Sequence, residues 1–241
     1  MKREERHQAK RNDLATLLDE VTHFAGRNVR KVVLLGTVVL VVALGVLGLR
    51  LWLRASDAKS ARVLAELIDT YNAPITATLE DLQEAQAGVP AFTSVEERSR
   101  KVIDRATSIL EGGRTGPARA GALLYKGMAQ SDLKLYDEAE VSLNEVLGRD
   151  AGGLYGSMAR LRLARIRESR GKPEEALPLY QAISEDARGL LPREEGMLGM
   201  ARCQEAMGRK DEAGALYRRL MSEYPDSEYQ IEARQRLADL S

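Results

Sequence analysis

Hydrophobic residues are distributed in two ways along the chain. Eighteen consecutive residues, from Val32 to Leu49, are uncharged and almost entirely apolar, while the rest consists of stretches of Ala, Leu, Glu, Arg and Lys that are broken by Gly and Pro. These five residue types are strong helix formers. The pattern therefore predicts an all-α protein with one uniformly apolar helix and a series of helices of mixed apolar and charged character.

The apolar run has the length of a membrane span. At about 1.5 Å per residue it covers roughly 27 Å, close to the hydrocarbon thickness of a bilayer. Arg50 can extend its charge to the headgroups, and Trp52 then lies where interfacial aromatic residues are common. We predict a transmembrane helix over residues 32–53. A cleaved signal peptide is the alternative, but 31 residues precede the run, and the LRASDAKSA that follows offers no suitable cleavage site.

The charges on either side of the run indicate its orientation. The tail, residues 1–31, has eight Lys or Arg against five acidic residues, and Arg50, Arg54, Lys59 and Arg62 lie on the other side. A long C-terminal domain translocates largely regardless of its charge. We therefore predict a single-pass protein of the inner membrane, with its N-terminus in the cytoplasm and its C-terminal domain in the periplasm of a Gram-negative cell.

The tail contains one amphipathic segment. If Asp13 caps a short helix, the apolar residues after it fall on one face. These residues are Leu14, Leu17, Leu18, Val21 and Phe24. Such a helix would lie on the membrane or dock on a membrane partner. The alternative is a nascent helix that only leads into the span.

A period of 37 residues is the strongest signal in the rest of the chain. An alanine follows a pair of acidic residues at this spacing, a small residue lies twelve positions before it, a large residue lies four positions after it, and a glycine separates the two halves of the later units. The members are Gly127, Ala139 and Leu143, then Ala164, Gly171, Ala176 and Tyr180, then Ala201, Gly208, Ala213 and Tyr217. A fixed period of this length in a helix-forming sequence indicates repeats of paired helices.

The small residues are expected to let the two helices of each unit approach closely, and the glycines to end the first helix. The small–small–large pattern over residues 118–240 resembles the tetratricopeptide repeat, although the Trp and Tyr usual in its first helix are replaced by other residues. The resemblance implies an α-solenoid whose inner surface is lined by the first helix of each pair. We predict three tetratricopeptide-like repeats and a C-terminal capping helix in residues 118–241.

Residues 54–117 are less regular and are predicted to form a helical linker or degenerate repeat. Helices are expected over 60–71, 76–86 and 94–110, the last opened by a capping box in the sequence Ser-Val-Glu-Glu. The three residues by which each unit exceeds the usual 34 are expected in linkers such as 148–153.

The order of the segments also resembles a known family. The similarity lies in the tail ending at Phe24–Lys31, the span ending at Leu49–Trp52, the helix start Asp57–Ala61 and the stretch Leu161–Arg165. All four resemble the ancillary subunit of the bacterial Sec translocon. That family implies binding of newly exported proteins as they leave the channel, alongside periplasmic chaperones. The alternative is an envelope scaffold for cell-wall, secretion or outer-membrane assembly machinery.

The predicted binding face is the inner surface of the solenoid. By repeat geometry its polar or flexible residues are Met128, Asp132, Arg165, Glu168, Arg202 and Glu205. Arg165 and Arg202 are equivalent, which suggests acidic or carboxylate groups on the partner. The alternative is a solvated face with Arg–Glu pairs three residues apart. The Lys and Asn set with which some such repeats clamp a chain terminus is not recognisable, so we do not predict clamp-type binding.

Composition argues against an enzyme and against a nucleic-acid-binding protein. Lys plus Arg and Asp plus Glu both number 36, so the net charge is zero. Both histidines, His7 and His23, lie in the tail, which removes histidine-based catalysis and metal binding from the repeats. Cys203 is expected to be a small core residue, with a reactive thiol as the alternative. We predict protein partners, no catalytic residues, no metal, no cofactor and no small-molecule substrate.

Overall fold

The computed structural model of the chain describes residues 29–76 and 91–240. Within its first helix the description leaves out the side chains of residues 29, 31–32, 35–36, 49 and 51–57. The predicted amphipathic face of the tail and most of the helix expected over 76–86 lie outside the described residues. The residues of that face are Leu14, Leu17, Leu18, Val21 and Phe24.

The described residues form nine helices and one isolated parallel β-bridge, between Ile75 and Phe92. The helices are α1 (Val29–Asn72), α2 (Val95–Glu111), α3 (Gly116–Asp132), α4 (Tyr136–Asp150), α5 (Leu154–Ser169), α6 (Pro173–Ser184), α7 (Arg193–Ala206), α8 (Lys210–Glu223) and α9 (Gln230–Asp239). The prediction of an all-α fold is confirmed for this part of the chain.

The structure divides into two compact units, Met1–Ala58 and Lys59–Ser241. Residues 32–53 are helical throughout, as part of α1. However, none of the helices in the described residues combines the length and the apolar character needed to cross a membrane. The structure therefore supports a helix over the predicted residues 32–53.

The second unit is a solenoid of helix pairs. Each helix from α2 to α8 packs against the next helix in the chain. In addition, α3 contacts α5, and α5 contacts α7. The first helices of the three predicted repeats thus form one layer, and α4, α6 and α8 follow them as the second helices.

The close approach predicted within each pair is confirmed by the small residues. A Cβ atom added at Gly127 would lie 2.7 Å from the side chain of Leu143 and 3.3 Å from the carbonyl oxygen of Ala139. Both Leu143 and Ala139 are fully buried. In the later repeats the corresponding alanines also pack in shared buried clusters, Ala164 with Ala176 and Ala201 with Ala213.

The turns inside the three repeats have one common backbone geometry. Gly171 and Gly208 have φ angles of 68° and 76°, and Lys134, at the equivalent position of the first repeat, has a φ of 61°. In each turn, the amide after this residue donates to a carbonyl five residues earlier, at 2.9 Å. This is the Schellman-type end of a helix, so the expected role of the two glycines is confirmed.

Two local predictions need correction. Ser94 caps α2 by accepting a hydrogen bond from the Glu97 amide at 3.1 Å. The Glu97 carboxylate, however, accepts from the amide and hydroxyl of Thr93, one residue before the cap, so the capping box is displaced by one position. The linker expected over 148–153 is also shorter, because α4 continues to Asp150, and the long linker between repeats is instead 185–192.

The last turns of α1 pack with α2 against the first repeat. Leu64 and Leu67 share a buried cluster with Val102 of α2 and Ala122 of α3. Arginine side chains of α2 reinforce this contact, and Arg105 donates to a backbone carbonyl of α1 at 3.1 Å. The first tetratricopeptide-like pair therefore has a helix pair packed on its N-terminal side.

Candidate partner-binding groove

The predicted binding residues lie on the three inner helices, and four of the six line one groove. This inner groove has a volume of about 530 Å³ and is formed mainly by polar side chains. It is lined by Ser131, Asp132, Tyr136, Arg162, Arg165, Ile166, Glu168, Ser169 and Arg202. The predicted residues Met128 and Glu205 are not among its lining: Met128 packs against the buried cluster of the first repeat, and Glu205 is engaged by other side chains.

Ion pairs connect successive layers of the solenoid along this face. Arg162 of α5 pairs with Asp132 of α3 at 3.1 Å. Arg202 of α7 binds Glu168 of α5 through two hydrogen bonds, of 2.7 and 3.1 Å. We call this series the inter-repeat ladder, and its last step joins Glu205 of α7 to an arginine of α9.

The last step of the ladder is made by the capping helix. Arg236 of α9 lies 3.4 Å from Glu205, and Glu232 of the same helix lies 3.5 Å from Arg202. The capping helix therefore supplies both a cation and an anion to the end of the inner face. This supports its predicted role as the end of the solenoid.

The Arg–Glu pairing expected within each inner helix is wrong. That interpretation paired residues three positions apart, so that Arg202 would bind Glu205. Arg202 instead bridges back to Glu168, and Arg165 bridges forward to Glu195 in the first turn of α7. The arginines thus connect helices to each other, which sequence spacing on one helix does not reveal.

Two buried tyrosines, Tyr180 and Tyr217, complete the arrangement, and the repeat pattern indicated only that large residues occupy their positions. The hydroxyl of Tyr180 donates to Glu168 at 2.7 Å, and that of Tyr217 donates to Glu205 at 2.8 Å. The guanidinium of Arg202 also lies 6.0 Å from the centre of the Tyr180 ring. The available signal was the spacing of twelve residues between Glu and Tyr, which occurs in both repeats.

The surroundings fix the protonation states of these groups. Burial alone would raise the pKa of Glu168, but the hydrogen bonds from Arg202 and Tyr180 outweigh it and hold the pKa below its usual value. Burial and the adjacent Glu168 carboxylate raise the pKa of Tyr180. At neutral pH, Glu168 is therefore an anion, and Tyr180 remains a protonated donor.

Helix α5 provides most of the arginines that sequence analysis missed. Besides its pair with Asp132, Arg162 donates to the hydroxyl of Tyr71 at 2.7 Å. Arg167 pairs with Glu140 of α4 at 2.9 Å and also binds a carboxylate at the start of α6. The signal in the sequence was the dense run of arginines from 160 to 170. The arginines of α5 therefore bind carboxylates of three neighbouring helices, α3, α4 and α6.

Cys203 is fully buried, as expected of a small core residue. Burial raises the pKa of its thiol to about 12, so the thiolate is scarcely populated at neutral pH. Within the part of the chain that the structure describes, no group of three or more His, Cys, Asp or Glu residues is placed to hold a metal ion.

Comparison with known proteins agrees with the repeat architecture. Residues 169–237 match the family model described as tetratricopeptide repeat. This match extends from the last residue of α5 into α9, so it covers the second helix of the second repeat and the whole third repeat, and it lies outside the first repeat. No curated protein sequence matches the chain. The comparisons therefore support tetratricopeptide-like repeats but do not identify the translocon-associated family.

Proposed function

We propose that this protein is a membrane-anchored adaptor whose inner groove binds a segment of another protein. Tetratricopeptide repeats are in general non-catalytic scaffolds for protein interactions, which supports the adaptor role. The observation that carries the proposal is the open, polar groove of about 530 Å³ across α3, α5 and α7. A concave surface of this kind, formed by rigid helices, suits the binding of an extended chain segment.

The anchor proposal rests on how α1 exposes its apolar residues. Successive side chains on a helix point about 100° apart, so the five residues from 38 to 42 cover every side of α1. Each of these side chains is between 53% and 67% exposed. A single helical partner would cover only one side, whereas lipid surrounds a helix completely. This proposal goes beyond the structure, in which no described helix suffices for a span.

Within this general function, we propose an accessory role at the protein-export channel, with the repeats on the periplasmic side. The support is the order of tail, apolar helix and repeats, which resembles the ancillary subunit of the Sec translocon. Newly exported chains or periplasmic chaperones would then bind the inner groove. A scaffold for cell-wall, secretion or outer-membrane assembly has the same architecture, and only the identity of the partner separates the two functions.

The test is site-specific photo-crosslinking in cells. A photo-reactive residue is placed at Ser169 in the inner groove and, as a matched control, at Val141, which is 70% exposed on α4 and outside the groove lining. We expect the protein in the membrane fraction and a crosslinked protein from Ser169 only. Recovery of channel subunits or exported chains supports the export role, whereas cell-wall or secretion components favour the scaffold. A chain that stays out of the membrane fraction contradicts the anchor, and equal products from both positions contradict the groove.

A further inference from the structure

The Arg202–Glu168 pair of the inter-repeat ladder has no equivalent ion pair one period earlier in the chain. Arg202 binds Glu168, which lies 34 positions earlier. One period of 37 residues before these two are Arg165 (202 − 37) and Ser131 (168 − 37), which are again 34 positions apart. The layer between the first and second repeats therefore has the arginine but a serine in place of the glutamate.

The two arginines differ in their surroundings as this comparison predicts. Arg202, held by the glutamate one layer below, has a side chain that is only 22% exposed. Arg165 has no carboxylate at the equivalent place, and its side chain is 50% exposed. It turns instead to Glu195 of α7. Arg165 and Ser131 both line the inner groove.

Each arginine of the groove already binds a carboxylate, but not with all of its donors. Arg162 pairs with Asp132, Arg165 with Glu195, and Arg202 with Glu168. A guanidinium has five N–H donors, so Arg165 can keep Glu195 and bind a second carboxylate.

We propose that an acidic side chain of the protein partner occupies the place of the missing glutamate and binds Arg165 and Ser131. The partner's Glu or Asp accepts hydrogen bonds from the Arg165 guanidinium and the Ser131 hydroxyl, as Glu168 accepts bonds from Arg202 and Tyr180 in the next layer. This inference rests on the proposed function, because it names the chemistry of the segment that the groove binds. The group is an acidic side chain because Ser131 occupies the position that Glu168 has in the next repeat.

The test measures the affinity of the full chain, in mild detergent, for fluorescent peptides with blocked ends. The first peptide carries two Glu residues in a Gly-Ser sequence, and its control carries Gln in their place. We expect the Glu peptide to bind at least about tenfold more tightly. Arg165→Ala is expected to remove this preference, while Arg219→Ala, which alters an exposed arginine of the outer helix α8, leaves it unchanged.

Ser131→Glu is the decisive variant, because it places an acid at the position that Glu168 has in the next repeat. The new carboxylate is expected to bind Arg165, to leave the thermal unfolding temperature equal or higher, and to abolish binding of the Glu peptide. Equal binding of the Glu and Gln peptides, or unchanged binding by the folded Ser131→Glu variant, overturns the inference. So does equally tight binding of a peptide whose only carboxylate is its free C-terminus, since the site would then recognise chain ends.

The crosslinking experiment at Ser169 separates this inference from the proposed function. If Ser131→Glu loses both the peptide and the crosslinked partner, the acidic side chain is what the adaptor recognises. If the partner is still captured while no variant changes peptide binding, the adaptor function stands and the acidic site is wrong.

Discussion

The first repeat and the two that follow share their small residues and turns but join their helices through different polar groups. In the later repeats, a buried tyrosine hydroxyl binds a glutamate twelve positions earlier, Tyr180 to Glu168 and Tyr217 to Glu205. Each glutamate then binds an arginine of the next layer. One carboxylate thus binds the second helix of its own repeat and also binds the next layer of the solenoid.

The first repeat keeps the internal bond but moves it by one position on both helices. Leu143 and Ser131 occupy the places of the tyrosine and the glutamate, and the hydroxyl of Ser142 donates to Gln130 at 2.7 Å in the buried interior. The bond is now between neutral groups, and the carboxylate that binds the next layer is instead Asp132, which pairs with Arg162. The same change that makes the core of the first repeat neutral leaves Arg165 partly exposed at the inner groove.

The largest expected effect comes from Glu168→Gln, which removes the charge shared by two layers. Arg202 would keep a neutral acceptor but lose its carboxylate, and we expect a loss of about 2–3 kcal/mol in the free energy of unfolding at pH 7. The folded pKa of Glu168 is below its unfolded value of about 4.3, so its contribution is fully present above that pH and is lost as the pH falls through the folded pKa. Urea unfolding from pH 7 to pH 3 measures the difference.

Glu205→Gln is the matched control for this prediction. Glu205 binds Tyr217 at 2.8 Å, but its arginine, Arg236, is 3.4 Å away at the end of the solenoid. We expect a smaller loss, about 1 kcal/mol. If the difference in unfolding free energy between wild type and Glu168→Gln stays constant down to pH 3, then the charge of the Glu168 carboxylate does not stabilise the contact between the layers.

The next largest expected effect comes from a comparison of two hydrogen bonds inside the repeats. In the second repeat Tyr180 donates to the charged Glu168, whereas in the first repeat Ser142 donates to the neutral Gln130. Tyr180→Phe keeps the ring packed but removes the donor to Glu168, and we expect a loss of about 1.5–2 kcal/mol because the acceptor is charged. Ser142→Ala removes the donor to the neutral Gln130, with an expected loss of about 1 kcal/mol. Unfolding free energies in urea give the comparison. A larger loss of unfolding free energy for Ser142→Ala than for Tyr180→Phe would contradict the expected strength of the charged hydrogen bond.

Periodicity predicted the parts of this fold that depend on backbone packing. The alanines and glycines spaced by 37 residues mark close helix contacts and left-handed turns, and both constraints are imposed by residue size at a single position. Four inner-groove residues were likewise predicted from their place in the repeat, namely Asp132, Arg165, Glu168 and Arg202. Repeat position places a side chain on a face without knowledge of its partner.

The ion pairs could not be predicted in the same way, because their partners lie on different helices. Spacing on one helix paired Arg202 with Glu205, whereas the packing of α5 on α7 brings Glu168 closer. Long arginine side chains select among several carboxylates within reach, and the choice depends on the distance between layers. The capping helix illustrates the same point, since no period predicts that Arg236 completes the ladder.

The smallest expected effect concerns the turn that the three repeats share. Lys134 adopts a φ of 61° where the later repeats have Gly171 and Gly208, and a residue with a Cβ atom is strained there by about 1–2 kcal/mol. Lys134→Gly relieves the strain but makes the unfolded chain more flexible, which offsets about 0.4–1 kcal/mol of the gain. We expect a net stabilisation of about 0.5 kcal/mol.

The reverse substitutions complete this prediction. Gly171→Ala and Gly208→Ala place a Cβ atom in the left-handed region, and each is expected to destabilise the fold by about 1 kcal/mol. Thermal unfolding of the three single variants tests the set, because their signs differ. If Lys134→Gly is as destabilising as the two alanine variants, then the lysine side chain makes contacts that outweigh the strain, and the first turn differs from the later two in more than its residue.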